Sequence, residues 1–356
     1  MTFLSTRRAR VSAAVAGVAL SAIALTACAG GTTAGSSDAP AGDEGFGEIT
    51  LQLSWIFNEE FAGEYFADSK GYYEEAGFSA VNMVPGPETG VTPLLSGSAD
   101  IALSDSVAIG SAVAEQDAPL KIIGATFQAN PFTILSLADG GNIATPEDMI
   151  GKRIGVQDSN TTLFNALLAA NDIDPSEVEI VPVQYDPAPL VNGEVDGFVA
   201  YITNEAISVE MAGLATTNLP FAENGLPFVA ETVTTTDQMI AENRELLKAF
   251  LVAEIKGWTD AVNDPQGGAD LALDVYGTDL DLDPAKTLAG SEAQNALVVS
   301  AETEANGLFT ISEDLQKLTV ESLAGAGIDL EASDLFDLSL LAEVYEENPD
   351  LIDYQR

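Results

Sequence analysis

Seven residues have the types and positions to read a small molecule: Trp55, Asn58, Ser104, Asp105, Tyr185, Asn204 and Glu205. Trp55 and Tyr185 carry π faces that stack on flat rings, and Phe57 or Tyr201 could add further walls. Asn58 and Asn204 each offer a donor and an acceptor, whereas an ionised Glu205 offers acceptors only. That is the chemistry of recognition, not of bond making. The 356 residues include no histidine and one cysteine, Cys28. Ser-His-Asp and Cys-His nucleophile systems, histidine metal sites, internal disulfides and CxxC pairs are therefore excluded. Asp279, Asp281 and Asp283 have the odd spacing that opens an EF-hand loop. Pro284 stands where that loop needs Gly, and Gly290 where it needs Glu, so a solvated approach to a helix is expected there. No metal and no cofactor is expected.

The elements that must position these residues come from a chain with 56 acidic and 13 basic side chains, a formal net charge of −43. Hydrophobic residues make up 46%, so the chain is no disordered acidic tail. Its length predicts one large two-lobed domain or two ordinary ones. A surface this acidic repels nucleic acid and anionic lipid, which excludes both as partners of the folded part. It reads as a solvated shell suited to high salt, with attraction of a cationic partner as the alternative.

Arg7, Arg8 and Arg10 precede an uncharged run of small and apolar residues from Val11 to Ala27. This pattern predicts a secretory signal over residues 1–27, because the run is too short and too weakly hydrophobic to span. Leu25-Thr26-Ala27 before Cys28 resembles the bacterial lipoprotein box, which implies cleavage before Cys28 and a lipid on its thiol. The Arg7-Arg8 pair leaves twin-arginine export open. Residues 28–47, rich in Gly, Ser, Thr, Ala and Pro, are expected to be a flexible tether. The expected location is the extracytoplasmic face of the cell membrane, held only through Cys28.

Beyond the tether, Ile49 to Ser54 alternates apolar and polar residues as a strand does. Phe61 to Glu75 predicts a helix closed by Gly77, and Val81 to Val84 a strand ended by Pro85-Gly86-Pro87. A helix from Val91 and a strand over Ala99 to Leu103 continue the alternation, as do Lys121 to Ala125 and Pro131 to Ala138. Thr145-Pro146 reads as an N-cap with Pro at the first helical position. Arg153 to Val156 and Phe198 to Tyr201 predict strands, and Phe228 to Thr235 is a β-branched run able to return to the first lobe. Helices follow, over Asp237 to Val262 and Ser312 to Ala324. Such alternation predicts an α/β fold with mainly parallel sheets. We expect residues 48–138 and 231–356 to form lobe 1 and 139–230 lobe 2, with the post-strand loops facing a cleft. All seven candidates lie on those loops.

Leu53-Ser-Trp-Ile-Phe-Asn58, Phe61-Ala-Gly63 and Lys70-Gly71-Tyr72-Tyr73 are similar to the opening of the thiamin-pyrimidine-synthase-like family of substrate-binding proteins. These are solute receptors of ABC importers, related to nitrate, sulfonate and taurine receptors. The resemblance continues through Gly97-Ser-Ala-Asp100, Gly151-Lys-Arg-Ile-Gly155, Tyr185-Asp-Pro187 and Gly193-Glu-Val-Asp196 to Asn204-Glu205. It implies a type II periplasmic-binding fold, two lobes closing by a hinge over a small molecule, and an ABC permease as partner. For the subgroup with Trp near the first strand and Asn-Glu in the second lobe, it implies a thiamin pyrimidine precursor; riboflavin or nitrate, sulfonate and taurine are the alternatives.

A flat heteroaromatic suits the residues, since Trp55 and Tyr185 could face each other from opposite lobes while Glu205 accepts from an aminopyrimidine edge. Anion receptors need clustered donors, and after residue 27 only Arg153, Arg244 and Arg356 remain as arginines. Eukaryotic relatives that synthesise the pyrimidine use a histidine and a cysteine-rich motif, which this chain lacks. The expectation is a monomeric receptor, not an enzyme. A carboxylate-only extracellular enzyme and a structural surface protein are the rivals.

Overall fold

The computed structural model describes residues 45–355. The expected signal peptide, Cys28 and nearly all of the expected tether lie outside them. Ten strands run in chain order: β1 (Gly47–Gln52), β2 (Phe78–Val84), β3 (Ile101–Asp105), β4 (Leu120–Phe127) and β5 (Phe132–Leu137). They continue with β6 (Arg153–Gln157), β7 (Glu179–Val183), β8 (Gly197–Tyr201), β9 (Thr216–Pro220) and β10 (Ala230–Thr236). One sheet has the order β2-β1-β3-β10-β4, the other β7-β6-β8-β5-β9.

Each sheet is built on two parallel pairings, β1 with β2 and β3, and β6 with β7 and β8. The remaining pairings are antiparallel, β10 with β3 and β4, and β5 with β8 and β9. The sheets are thus mixed rather than mainly parallel, because the chain enters each new sheet on a strand running backwards. Central strands are covered on both faces and read as continuous apolar or β-branched runs, as β3 (Ile-Ala-Leu-Ser-Asp) and β10 (Ala-Glu-Thr-Val-Thr-Thr-Thr) do. The polar atoms this buries are satisfied within the sheet: Thr235 Oγ1 donates to the Asp100 carbonyl at 2.8 Å.

The lobe boundaries differ from the expected ones. Phe132–Leu137, expected in lobe 1, pairs along its length with β8 and β9 and so belongs to the second sheet. It is buried on both faces, and nothing in such a run says which sheet it joins. The passages between sheets are residues 128–131 and the segment leading from Phe221 into β10. Asn130 clasps them together, its Nδ2 donating to the Leu226 carbonyl at 2.8 Å and its Oδ1 accepting from the Phe132 amide at 2.9 Å. One hydrophobic core, from Ile49 to Tyr354, extends through both sheets, and a smaller one around Phe198 fills the other side of the second.

Two expected helices are each broken in two. Ala62–Ser69 and Tyr72–Glu75 are separated at Gly71, whose φ of 77° lies outside the helical region. Asp237–Glu242 and Arg244–Asn263 are separated at Asn243. Thr145 forms the expected cap with Pro146 behind it, on a short 3-10 turn. Asp283 caps the helix Pro284–Val298, accepting from the Lys286 amide at 2.8 Å, so the aspartate run leads into a helix. No described helix is long and apolar enough to cross a membrane.

Candidate functional site

The loops after the strands of both sheets meet around a partly open cavity. From lobe 1 it is lined by Ser54 and Trp55 after β1, Glu60, Glu88 and Thr89 after β2, Ser104 and Asp105 ending β3, and Glu231 at the start of β10. From lobe 2 come Phe132, Gln157, Ser159, Asn160, Tyr201, Asn204 and Glu205. Five carboxyl side chains and three aromatic rings are among the lining residues, and none is lysine or arginine.

Local structure sets each of these side chains. Trp55 is held because its carbonyl accepts from the Gly86 amide at 2.6 Å, tying the β1 loop to the β2 loop. A Cβ on Gly86 would lie 2.6 Å from the Ser54 carbonyl oxygen, so only glycine permits that approach. Ser104 Oγ donates to the Thr89 carbonyl at 2.6 Å. Asp105 caps the helix Ser106–Gln116, its Oδ1 accepting from the amides of Val107 and Ala108 at 2.8 and 2.9 Å. Glu205 starts the helix Glu205–Met211, and both its oxygens are occupied: Oε2 accepts from the Tyr201 amide at 2.9 Å, Oε1 from Asn204 Nδ2 at 3.1 Å.

Five of the seven expected residues are thus brought together: Trp55, Ser104, Asp105, Asn204 and Glu205. Asn58 is buried just behind them, where its Oδ1 accepts from the Glu60 amide at 3.2 Å and caps the turn Glu59–Phe61. Tyr185 is not part of the cavity; it follows β7, an edge strand, and is 44% exposed. Tyr201, expected only as a further wall, takes that place. Its ring meets Phe132 edge to face at 4.5 Å, and its Oη donates to Glu231 Oε1 at 2.9 Å.

Sequence reasoning missed Glu60, Glu231 and Lys286. Glu231 sits in an apparent strand residue, but a register shift between Ala230 and Thr232 and a φ of 44° turn it out of the ladder into the cavity. Ser54 Oγ lies 3.0 Å from both of its carboxylate oxygens. Lys286 Nζ reaches from the C-terminal helices to Glu59 Oε1 at 2.6 Å and also donates to Asn204 Oδ1 in lobe 2. No pattern in the sequence flags these; they depend on the bulge and on which helix crosses the cleft.

Burial dominates the electrostatics. It pushes the carboxyls of Glu205 and Glu231 up to about 7, although the Tyr201 amide opposes it at Glu205, and Tyr201 Oη and Ser54 at Glu231. Glu60 is held well above the ordinary glutamate range by burial and then by the charge of Glu231. Burial also raises Asp105 against its two amide partners, and Glu59 against Lys286. Burial thus biases the carboxyls around this partly apolar space toward their protonated forms.

A 24% identical relative, the riboflavin-binding protein RibY of Chloroflexus aurantiacus, aligns over 241 residues, 64% of this chain and 66% of its own. The 4-amino-5-hydroxymethyl-2-methylpyrimidine phosphate synthase of Schizosaccharomyces pombe is 27% identical over 166 residues, 46% of this chain and 47% of its own. The chain therefore spans between about half and two thirds of these relatives. The solved periplasmic nitrate-binding protein NrtA of Synechocystis PCC 6803 superimposes with a TM-score of 0.62 at 13% identity, over 87% of this chain and 92% of its own. The fold is accordingly that of the two-lobed periplasmic binding proteins. The family described as NMT1/THI5 like matches residues 58–267, more than half of the sequence, and this chain belongs to it.

Proposed function

We propose that this chain is the extracytoplasmic solute-binding protein of an ABC-type importer, tethered through a lipid on Cys28, and that its solute is a flat heteroaromatic of the thiamin-pyrimidine type. The observation that carries this reading is the interlobe cavity, walled by Trp55 and Tyr201 and ringed by carboxyls without a lining cation. Aromatic walls suit a planar ring, and oxygens that accept suit its amino edge. The same wall disfavours a nitrate or sulfonate, which would meet Glu60, Glu88, Asp105, Glu205 and Glu231 with no lining cation to balance them. The names of the relatives, one a riboflavin binder and one a pyrimidine synthase, support a heteroaromatic over an inorganic anion. Riboflavin is the second reading, favoured by the first of these.

The solute is bound and released unchanged. With no histidine anywhere in the chain, an acid–base cycle would rest on buried carboxyls already engaged as acceptors, Glu205 from the Tyr201 amide and Glu231 from Ser54 Oγ and Tyr201 Oη.

Mass spectrometry of whatever co-purifies with the protein, followed by calorimetry against 4-amino-5-hydroxymethyl-2-methylpyrimidine, riboflavin and taurine, tests the reading. Stoichiometric binding of the pyrimidine without turnover is expected. Binding of taurine alone would remove the ligand class and keep the receptor; turnover of the pyrimidine would remove both.

A further inference from the structure

The helix Pro284–Val298 is fastened to lobe 1 and touches lobe 2. Ser291 Oγ donates to the Pro265 carbonyl at 2.9 Å, Gln294 Nε2 to the Glu59 carbonyl at 3.0 Å, and Asn295 Nδ2 to the Val262 carbonyl at 3.1 Å. The Leu297 carbonyl accepts from the Gln128 amide at 2.8 Å, so the helix ends against the first passage between the lobes. It also packs against the helix Glu205–Met211 of lobe 2. There Lys286 Nζ donates to Asn204 Oδ1, while Glu59 Oε1, 2.6 Å from Nζ, holds the lysine from the lobe-1 side. The side chains of Lys286 and Glu59 are 13% and 3% exposed, so this ion pair is no loose surface contact. A Cβ on Gly290, one turn further along, would collide with Glu59 Oε1. Glycine there lets the carboxylate lie against the helix.

Chemistry fixes how these groups face. An ammonium only donates, so the atom it meets on Asn204 is the carbonyl oxygen. The amide nitrogen is thereby turned the other way, and Nδ2 donates to Glu205 Oε1 at 3.1 Å, at the cavity wall. The series Glu59, Lys286, Asn204, Glu205 thus runs from lobe 1 to the ligand wall of lobe 2, although neither Glu59 nor Lys286 lines the main cavity. We propose that Lys286 is a positioning residue that latches the lobes: anchored on lobe 1 by Glu59, it captures Asn204 and so holds lobe 2 in the closed arrangement. The proposal rests on the receptor reading above in needing lobes that hinge, and it does not depend on which solute binds. Rotation at the passages leaves Glu59 and Lys286 together, since both belong to lobe 1, and breaks the bond to Asn204. In the open form that face of the ammonium returns to water. The latch is therefore worth the difference between a charge-assisted bond in a largely buried seam and the same group hydrated.

The test uses the full-length chain with Met211→Cys in lobe 2 and Val275→Cys in lobe 1, positions 50% and 56% exposed, and with Cys28→Ser to remove the only other thiol. Single-molecule energy transfer between dyes on the two cysteines counts closed and open molecules without ligand. Asn204→Leu should lower the closed-to-open ratio at least about tenfold, the worth of a hydrogen bond to a charged group. Lys286→Met with Glu59→Gln, which strands no carboxylate, should lower it by the same factor. Adding Asn204→Leu to that pair should change nothing further, because the three residues act through one contact. Asn204→Asp still offers Lys286 an acceptor and should keep the wild-type ratio. Thermal melting confirms that each variant folds. An unchanged ratio in Asn204→Leu, a further fall in the triple variant, or a fall in Asn204→Asp equal to that in Asn204→Leu overturns the latch. 4-Amino-5-hydroxymethyl-2-methylpyrimidine, riboflavin and taurine are then added. For whichever binds, Lys286→Met with Glu59→Gln should raise the dissociation rate at least about tenfold and leave the association rate unchanged; an unchanged dissociation rate also overturns the latch. If none of the three binds the wild type, the receptor reading falls, and the ligand-free ratio still decides the latch.

Discussion

Tyr201 and Glu231 join the two lobes directly: the Tyr201 Oη, at the end of β8, donates to Glu231 Oε1, at the start of β10, over 2.9 Å. A bond across a cleft favours the closed arrangement only, since both groups are hydrated when the lobes part. Its net worth is about 0.5–1.5 kcal/mol, or a shift of roughly twofold to tenfold between closed and open forms. Tyr201→Phe keeps the ring against Phe132 and removes the bond. Small-angle scattering of the ligand-free variant should give a larger radius of gyration than the wild type; identical curves would show that the bond does not hold the lobes.

The two aromatic candidates should behave differently. Trp55 lines the cavity, so Trp55→Ala should weaken a stacked ring by about 1–3 kcal/mol. Tyr185 stands outside it and 44% exposed, so Tyr185→Ala should change affinity by less than about 0.5 kcal/mol. Calorimetry on both variants with one ligand decides, and an equal loss would put Tyr185 back in the site.

Glu59 is 2% exposed, and its Oε2 has no hydrogen-bond partner. Lys286 Nζ, 2.6 Å from Oε1, is the cation that compensates it. Lys286→Met strands this carboxylate and should cost about 3–5 kcal/mol in urea unfolding, as breaking one side of a buried pair does. Adding Glu59→Gln should restore most of the loss. A double variant no better than the single would mean that Lys286 contributes through packing or its bond to Asn204 and not through Glu59.

Between the helices Ala62–Ser69 and Arg244–Asn263, Glu64 and Glu254 are both fully buried, with Trp258 Nε1 donating to Glu64 at 3.2 Å and Tyr73 Oη to Glu254. Burial pushes Glu64 from 4.5 up to about 7, and pushes Glu254, beside it, well above its ordinary range. The folded state keeps protons that the unfolded chain releases above 4.5. This stabilisation is therefore complete below that value and is lost as pH rises through about 7. Glu60, Glu205 and Glu231 act in the same direction. Melting temperature should be several degrees higher near pH 5.5 than near pH 8.5, roughly 2–4 °C for each kcal/mol. Glu254→Gln should narrow the difference, and an unchanged difference would remove this pair as its source.

For the anchor, Cys28→Ser removes the only thiol in the chain. The variant should move to the aqueous phase of a detergent split, while wild-type protein stays with the detergent. Full retention of the variant in the membrane would refute the lipid on Cys28.

What the sequence made legible was periodicity and loop chemistry. Trp55, Asn204 and Glu205 follow, and Ser104 and Asp105 end, strands whose alternation or apolar runs are plain, and the cleft gathers them. Asn58 has the right side chain, but the nearest orphan amide, that of Glu60, captures it as a cap. Tyr185 follows a strand too, but at the edge of the sheet, and edge position is a property of strand order, which local pattern does not encode. Phe132–Leu137 fails for the same reason: a run buried on both faces fits either sheet. Glu231 was hidden by its own surroundings, since Thr-Val-Thr-Thr-Thr reads as an unbroken strand and a one-residue bulge leaves no compositional trace.

The bulge that turns Glu231 inward has a mechanical meaning. β10 is entered directly from the second passage between lobes, so Glu231 stands beside the axle of any rotation that opens the cleft. Points near an axle travel least. In a hinge opening of the kind the proposed receptor needs, Tyr201, Asn204 and Glu205 would move with lobe 2, while Glu231 would stay with Ser54, to which it is hydrogen-bonded, and with Trp55. A solute entering the open mouth thus finds one stationary berth already assembled on lobe 1, and the other half of its recognition arrives by rotation. On the proposed receptor reading, substitutions at Glu231 and its lobe-1 neighbours should act on first encounter, and those at Tyr201, Asn204 and Glu205 on residence time.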